Sequence, residues 1–236
     1  RQRQMCIRDS NNRLEKVAKK ARTTKNKEDL LEVETLKKSK DYLEKNVPLR
    51  LVEYSDEERL ILKNYSFLTL KPIIYLANVS EEDLAKEDNE YVKCVKEYAT
   101  KEKAPVVVLC AKVEEELSEL SDSDKEELLS ALGIGISGLD KLIKATYDLL
   151  GLATYFTVGK DEVRAWTFKK GMNAKKCAGI IHTDFEKGFI KAEVMSYDDL
   201  IKYGSELKVK EAGRARLEGK DYIMQDGDIC YFRFNK

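Results

Sequence analysis

Apolar residues recur at helical spacing from Asn12 onward. Leu14, Val17 and Ala21 lie three and four apart with lysines and arginines between them. After a polar break over residues 23–27 the stripe resumes at Leu30, Val33, Leu36 and Leu43 and runs to Pro48. This pattern predicts a helical hairpin. The stripe is as narrow as a coiled-coil seam and leaves a basic surface outside it. Ser55 stands as an N-cap before Asp56, Glu57 and Glu58, which open a short helix carrying Leu60, Ile61 and Leu62. Residues 11–66 therefore read as a helical arm. Residues 1–10, RQRQMCIRDS, show neither periodicity nor a start methionine and are expected to be a leader, non-native or disordered, outside the fold.

From Pro72 the pattern changes. Residues 73–77 are an unbroken apolar run, as in a strand buried on both faces; a helix follows through Tyr91, Val95 and Tyr98, and residues 106–109 repeat the apolar run. Strand, helix, strand is a βαβ unit, whose functional loops sit at the carboxyl ends of the strands. Residues 114–132 read as one acidic helix, 133–138 as a glycine-spaced loop, and 139–150 as a helix whose stripe of Leu139, Ile143, Tyr147 and Leu150 packs back on that sheet. Residues 67–150 thus form an α/β domain, with a boundary at Gly151.

Beyond Gly151 strands dominate. Residues 154–158 and 163–168 read as strands around a turn at Lys160 and Asp161, residues 189–195 as a third strand, and residues 197–203 and 207–217 as helical stretches. Residues 222–225 and 229–234 flank Asp226-Gly227, the strongest hairpin signal in the chain. This mixture predicts a small α+β domain over residues 151–236, of the ubiquitin-like, β-grasp kind.

Charge alters this picture only when counted by segment. The 43 basic and 43 acidic side chains cancel overall, yet residues 1–50 carry 15 basic against 8 acidic and residues 51–150 carry 12 against 22. Two basic ends around an acidic middle suit contact with a polyanion; each segment reads equally as a solvated helical face. Apolar residues make up 42% and charged residues 36% of the chain, with no apolar run of membrane-spanning length, so a cytoplasmic protein is expected. The five cysteines, at positions 6, 94, 110, 177 and 230, have no Cys-x-x-Cys spacing and point to neither zinc nor disulfides.

Two groups of residues invite a chemical reading. His182, the single histidine, alternates with Asp184 and Glu186 before Gly188; in an extended run the three share a face and can offer ligands to a cation, or form a plain polar strand edge. The second group lies at the ends of the two apolar strands: Asn78-Val79-Ser80-Glu81 after one, Cys110-Ala111-Lys112 after the other. In P-loop GTPases an Asn-Lys-x-Asp loop and a Ser-Ala-Lys loop at these places close around the base. Asparagine can bond a purine's Hoogsteen edge, and Val79 keeps an apolar cover over the ring. Glu81 is one methylene longer than the aspartate that accepts from two guanine donors, so relaxed or adenine-leaning base choice is expected. The plain alternative is a pair of strand-to-helix turns with Asn78 or Ser80 as a cap. Nowhere in the chain is there a Gly-x-x-x-x-Gly-Lys-Ser/Thr loop to cradle phosphates. Trp166 and Phe168 read as core residues.

Four stretches carry a resemblance: TYFTVG at 154–159, RAWTFKKG at 164–171, IHTDFEKGFI at 181–190 and KDYIMQDGDICYF at 220–232. With the Asn-x-x-Glu loop they resemble the YchF/Obg-like ATPase family over nearly the whole chain. The resemblance implies the C-terminal half of a Rossmann-like P-loop NTPase domain with an inserted coiled-coil hairpin, then a TGS domain. It implies a hydrolase of ATP in preference to GTP with Mg2+, whose base is lined by Asn78, Val79 and Glu81 and by backbone groups of Cys110 and Ala111. It places the phosphate-binding half before the arm, so this stretch alone is expected to be inactive. It implies the ribosome, through large-subunit rRNA, as partner, with no membrane and no DNA. A non-enzymatic TGS-type RNA- or ribosome-binding module is the alternative. With the nucleotide chemistry at the two loops, His182, Asp184 and Glu186 read as part of a structural or docking surface on the β-grasp domain.

Overall fold

The helical periodicity at the start of the chain becomes two helices, α1 (Gln2–Thr24) and α2 (Lys27–Glu44), packed along each other as a hairpin. Asn26 caps α2 through its side chain, and Lys20 Nζ meets the buried Asp29 carboxylate at 2.7 Å near the turn. The computed structural model describes residues 1–24, 26–159 and 162–235. The expected leader belongs to the fold: residues 2–10 are the first turns of α1, with Cys6 and Ser10 buried. Its buried face continues backward through these two small residues, which a count of large hydrophobics misses.

The chain divides into two units, Arg1–Gly135 and Ile136–Lys236. In the first, the hairpin shares a core with the segment after it, where Leu36, Leu43, Leu49, Leu62 and Phe67 are almost wholly buried. Ser55 begins α3 (Asp56–Lys63) with a full capping box, Glu58 returning to the Ser55 amide. Only Leu62 of the three apolar residues in α3 is buried, and Leu60 is exposed.

Then come β1 (Tyr75–Asn78), α4 (Glu90–Lys101) and β2 (Val106–Leu109), a βαβ unit with the strands parallel and Asn78 opposite Leu109. The ladder has two strands among the described residues and leaves Leu76 half exposed, so β1 is not the doubly buried strand expected. Its start is pinned by Glu102, whose carboxylate accepts from Arg50 at 2.5 Å, Tyr75 at 2.9 Å and Tyr98 at 3.1 Å. The acidic stretch that follows is two helices, α5 (Ala111–Glu119) and α6 (Asp122–Ala131), because the Ser121 hydroxyl caps a new helix where one continuous helix was expected.

The second unit opens with α7 (Gly138–Leu150), ended by Gly151 at φ 64°. This helix leads into β3 (Leu152–Val158) and belongs with the second unit, bonding Tyr147 Oη to Thr167 Oγ1 at 3.1 Å, where packing on the β1–β2 sheet was expected. The observed division therefore falls before Gly151. There follow β4 (Val163–Lys169), α8 (Ala174–Ile181), α9 (Thr183–Lys187), β5 (Phe189–Ser196), α10 (Tyr197–Tyr203), α11 (Glu206–Glu211), β6 (Arg216–Glu218) and β7 (Asp228–Phe234). The sheet order is β4-β3-β7-β5-β6, with β3 and β7 parallel and the other pairs antiparallel. Cys177 and Ala178 of α8 pack with Tyr155, Val194 and Phe232 in its core, where Phe168 is buried as expected and Trp166 lies at the edge. The turn expected at Lys160 and Asp161 lies outside the described residues.

Two sequence signals resolve differently. Asp226-Gly227 does not join a hairpin: β7 begins at Asp228, and residues 222–225 contribute one isolated bridge, Asn173 to Ile223. The turn instead docks on β3, Asp226 Oδ1 accepting from the Thr154 amide at 2.7 Å and Gly227 N–H donating to the Thr154 carbonyl at 2.8 Å. Residues 207–217 are not one helix; α11 ends at Glu211 and β6 follows. No helix among the described residues is long and apolar enough to cross a membrane.

Burial pushes the Glu102 carboxyl up, but its bonds to Arg50 and Tyr75 outweigh that and hold it below the usual glutamate range. The unfolded chain restores the ordinary value. The stabilisation is therefore complete above the ordinary range and is lost as pH falls through the lowered folded-state value. We expect Glu102→Gln to weaken that acid-dependent loss in urea titrations of the chain between pH 7 and pH 3.

Candidate functional site

The two loops singled out by sequence meet at the carboxyl ends of β1 and β2. The parallel ladder sets Asn78 opposite Leu109, and one further bond, Val79 N–H to the Leu109 carbonyl at 2.9 Å, carries the pairing past the end of β1. Ser80 then turns the chain into a short 3-10 segment, Glu81–Asp83, its carbonyl accepting from the Asp83 amide at 3.1 Å.

On the facing side α5 begins abruptly. Cys110 is extended and buried and offers no side-chain cap, although a helix start leaves its first amides without internal partners. Asn78 supplies the missing acceptor from the other strand: the Ala111 N–H donates to Asn78 Oδ1 at 2.9 Å. One side chain therefore ends one loop and caps the next. Across the gap, Lys112 Nζ lies 3.7 Å from a Glu81 carboxylate oxygen and 3.7 Å from Glu116. Asn78, Val79, Glu81, Cys110 and Lys112 line an open depression of about 500 Å³. A second, of about 430 Å³, lies on the other side of Val79 and Ser80 and includes the exposed Tyr91.

The structure thus brings together all five residues expected at the base: Asn78, Val79 and Glu81 on one side, Cys110 and Ala111 on the other. Residue types and spacing do not reveal that the Asn78 carbonyl oxygen and the Ala111 amide bind each other, or that Lys112 reaches Glu81. Lys112 was visible as the last residue of the Cys-Ala-Lys loop, but spacing alone does not say where a lysine lies.

The residues at 182–186 do not form a strand face. His182 is the junction between α8 and α9, with its Nδ1 accepting from the Asp184 amide at 3.2 Å as the cap of α9. On a helix, alternate residues diverge in direction, so period-2 spacing no longer gathers three ligands. Among the described residues no group of three or more His, Cys, Asp or Glu side chains is placed to hold a metal. The neighbouring glycines are explained by packing. A Cβ on Gly179 would lie 2.6 Å from Glu186 Oε2, and one on Gly188 would lie 1.9 Å from the Asn235 carbonyl oxygen.

Comparison with known proteins places these features. The family model YchF-GTPase_C, described as a protein of unknown function (DUF933), matches residues 152–235. The ribosome-binding ATPase YchF of Bacillus subtilis (strain 168) is 53% identical over 224 residues, covering 94% of this chain and 61% of that protein. Its counterpart in Escherichia coli O157:H7 is 46% identical over 222 residues, covering 94% and 60%. Obg-like ATPase 1 of Caenorhabditis elegans is 41% identical over 224 residues, covering 94% and 56%. The solved structure of the Schizosaccharomyces pombe YchF GTPase matches with a TM-score of 0.85 at 33% identity, over 98% of this chain and 63% of that one. The chain spans about 60% of the length of these relatives.

Asn78→Ala removes the acceptor that caps α5 and is expected to destabilise the first unit by about 1 kcal/mol. Asn78→Asp keeps an acceptor there and is expected to recover most of that loss. Chemical denaturation of the two variants beside the unsubstituted chain measures the difference.

Proposed function

Because this chain belongs to the YchF family, we propose that it is the base-recognising and ribosome-engaging part of a nucleoside triphosphatase that prefers ATP to GTP. The observation that carries the reading is the pair of loops beyond β1 and β2, joined by the bond from Ala111 to Asn78. A free-standing RNA-binding module has no use for such a pair, which sets the enzyme reading above the non-enzymatic alternative.

Asn78, Val79 and Glu81 line the base in this reading, with backbone groups of Cys110 and Ala111 facing them. With its carbonyl oxygen committed to Ala111, Asn78 offers its amide N–H groups to N7, an acceptor that adenine and guanine share. Glu81, longer than the aspartate of guanine-specific loops, relaxes the demand for guanine.

The residues present fit a base and do not fit triphosphate or Mg2+. No phosphate-cradling Gly-x-x-x-x-Gly-Lys-Ser/Thr loop occurs in the sequence, and no metal-holding cluster occurs among the described residues. Magnesium, where bound, neutralises charge on the phosphates, and in this reading its ligands lie outside residues 1–236. The chain alone is therefore expected to hydrolyse neither ATP nor GTP. A colorimetric phosphate assay on the purified chain checks this, and turnover above the buffer rate refutes it.

Ribosome engagement is supported by the names of the relatives, ribosome-binding ATPases, and by the basic excess of residues 1–50. The α1–α2 hairpin reads as a coiled-coil arm. The order β4-β3-β7-β5-β6, with parallel β3 and β7 at the centre and α8 across one face, supports reading residues 151–236 as a β-grasp domain of the TGS type. We assign both to contact with large-subunit rRNA in the cytoplasm. Phosphate contacts release counterions, so binding weakens steeply with salt. Co-sedimentation of the chain with ribosomes is expected to fall at least about tenfold between 50 and 200 mM KCl; binding insensitive to salt would remove rRNA phosphates as the target.

A further inference from the structure

The choice between purines can be assigned to particular groups, an inference that rests on reading the two loops as a purine site. Adenine and guanine both present N7 as an acceptor. They differ at position 6, where adenine carries a donor amine and guanine an acceptor oxygen. Guanine also carries an N1–H and a 2-amino group, both donors. A site that favours guanine therefore needs a donor facing position 6 and an acceptor facing N1 and the 2-amino group.

Both needs are frustrated here by contacts within the protein. One donor that the facing loop brings is the Ala111 N–H, between the lining residues Cys110 and Lys112. That N–H is already bonded to Asn78 Oδ1 at 2.9 Å. The acceptor on the near side is the Glu81 carboxylate, which Lys112 approaches at 3.7 Å from across the gap. Asn78 Nδ2 bonds no other described residue, so it remains available for N7, which does not distinguish the bases.

We propose that the Asn78–Ala111 hydrogen bond and the Lys112–Glu81 ion pair together set this site against guanine, making Lys112 a specificity-determining residue. The first contact withholds one donor that a 6-oxo group would use. The second engages the carboxylate that the N1–H and 2-amino group require. Adenine has no N1–H for Glu81 to accept, and its 6-amine, a donor, can still reach the second lone pair of Asn78 Oδ1.

The two contacts differ in strength. The Asn78–Ala111 bond caps a helix, and a neutral hydrogen bond contributes about 0.5–1.5 kcal/mol. The Lys112–Glu81 pair is exposed and contributes at most about 1 kcal/mol. Releasing the first is thus expected to move the preference further than releasing the second.

The test measures AMP and GMP binding to the 236-residue chain by two-dimensional amide NMR titration, with the ratio of the two dissociation constants as the readout. Lys112→Met keeps the aliphatic stem but removes the charge; the ratio is expected to move toward GMP about two- to fivefold. Asn78→Ala frees the Ala111 N–H and also removes the N7 donor. Loss of the N7 donor weakens both nucleotides alike and cancels in the ratio, whereas freeing the Ala111 N–H and removing the Oδ1 acceptor for the adenine 6-amine both move it toward GMP, together about three- to tenfold. Asn78→Asp removes the N7 donor but keeps an acceptor for Ala111, so both nucleotides weaken and the ratio stays at the unsubstituted value. The amide spectra report in each case that the variant is folded.

If both nucleotides bind and neither Lys112→Met nor Asn78→Ala changes the ratio, the assignment is wrong while the purine-site reading stands. If the unsubstituted chain binds neither nucleotide, the purine-site reading itself fails and the assignment falls with it.

Discussion

The bond from the Ala111 amide to Asn78 Oδ1 is the constraint on which the loop geometry depends. It joins residues 33 apart in sequence and closes the carboxyl end of a ladder only four residues long on each side. Without it, the first amide of α5 would need water or a side-chain cap, and Cys110 can provide no such cap. A capping bond of this kind contributes about 1 kcal/mol. The exposed Lys112–Glu81 pair contributes no more than that. The width of the gap is therefore governed chiefly by Asn78, and Lys112 tunes the charge at its rim.

A two-stranded ladder is marginal by itself, so β1 needs support from behind. That support is polar. Glu102 at the end of α4 gathers Arg50 from the segment after the hairpin, Tyr75 from the start of β1 and Tyr98 from α4, while the Tyr75 and Tyr98 rings meet edge to face with centroids 5.9 Å apart. The carboxylate and guanidinium are both largely shielded from solvent. Removing either partner of such a pair leaves the other charge buried and uncompensated, which is costly. The same strand thus begins at a shielded ionic knot and ends at the residue that caps α5. The position of Asn78 follows from the knot, because the two residues of extended chain between Tyr75 and Asn78 leave little slack.

What was legible in the sequence followed from strong local signals. The arm helices, the Ser55 cap, both parallel strands and the two loops all lay where periodicity and capping residues indicated. The failures have particular physical causes. Cys6 and Ser10 are too small and polar to register as a core stripe, so the first turns of α1 were excluded from the fold. Ser121 breaks an otherwise uniform acidic helix with a single hydroxyl. Asp226-Gly227 has the composition of a hairpin turn, but its partners are Thr154 on β3 and Tyr197 at the start of α10, contacts distant in sequence that no local pattern contains. At the candidate site, residue types and their places were legible; which polar atoms had already been used by one another was not.

The two units use opposite means to specify structure. In the first, polar side chains added at strand ends hold backbone segments together, so the residues that build the loops are also those of the candidate site. In the second, the characteristic stretch at 181–190 and its flanks work largely through what is left out. Gly188 admits the Asn235 carbonyl so closely that any side chain would collide with backbone, and Gly179 admits Glu186. The Asn235 amide in turn bonds the Gly188 carbonyl at 2.9 Å, binding the start of β5 to the segment just beyond β7. His182 completes this arrangement by capping α9 with its ring nitrogen. A stretch can therefore be recognisable because its packing tolerates few replacements. In this chain, that recognisable stretch and the candidate site lie in different units.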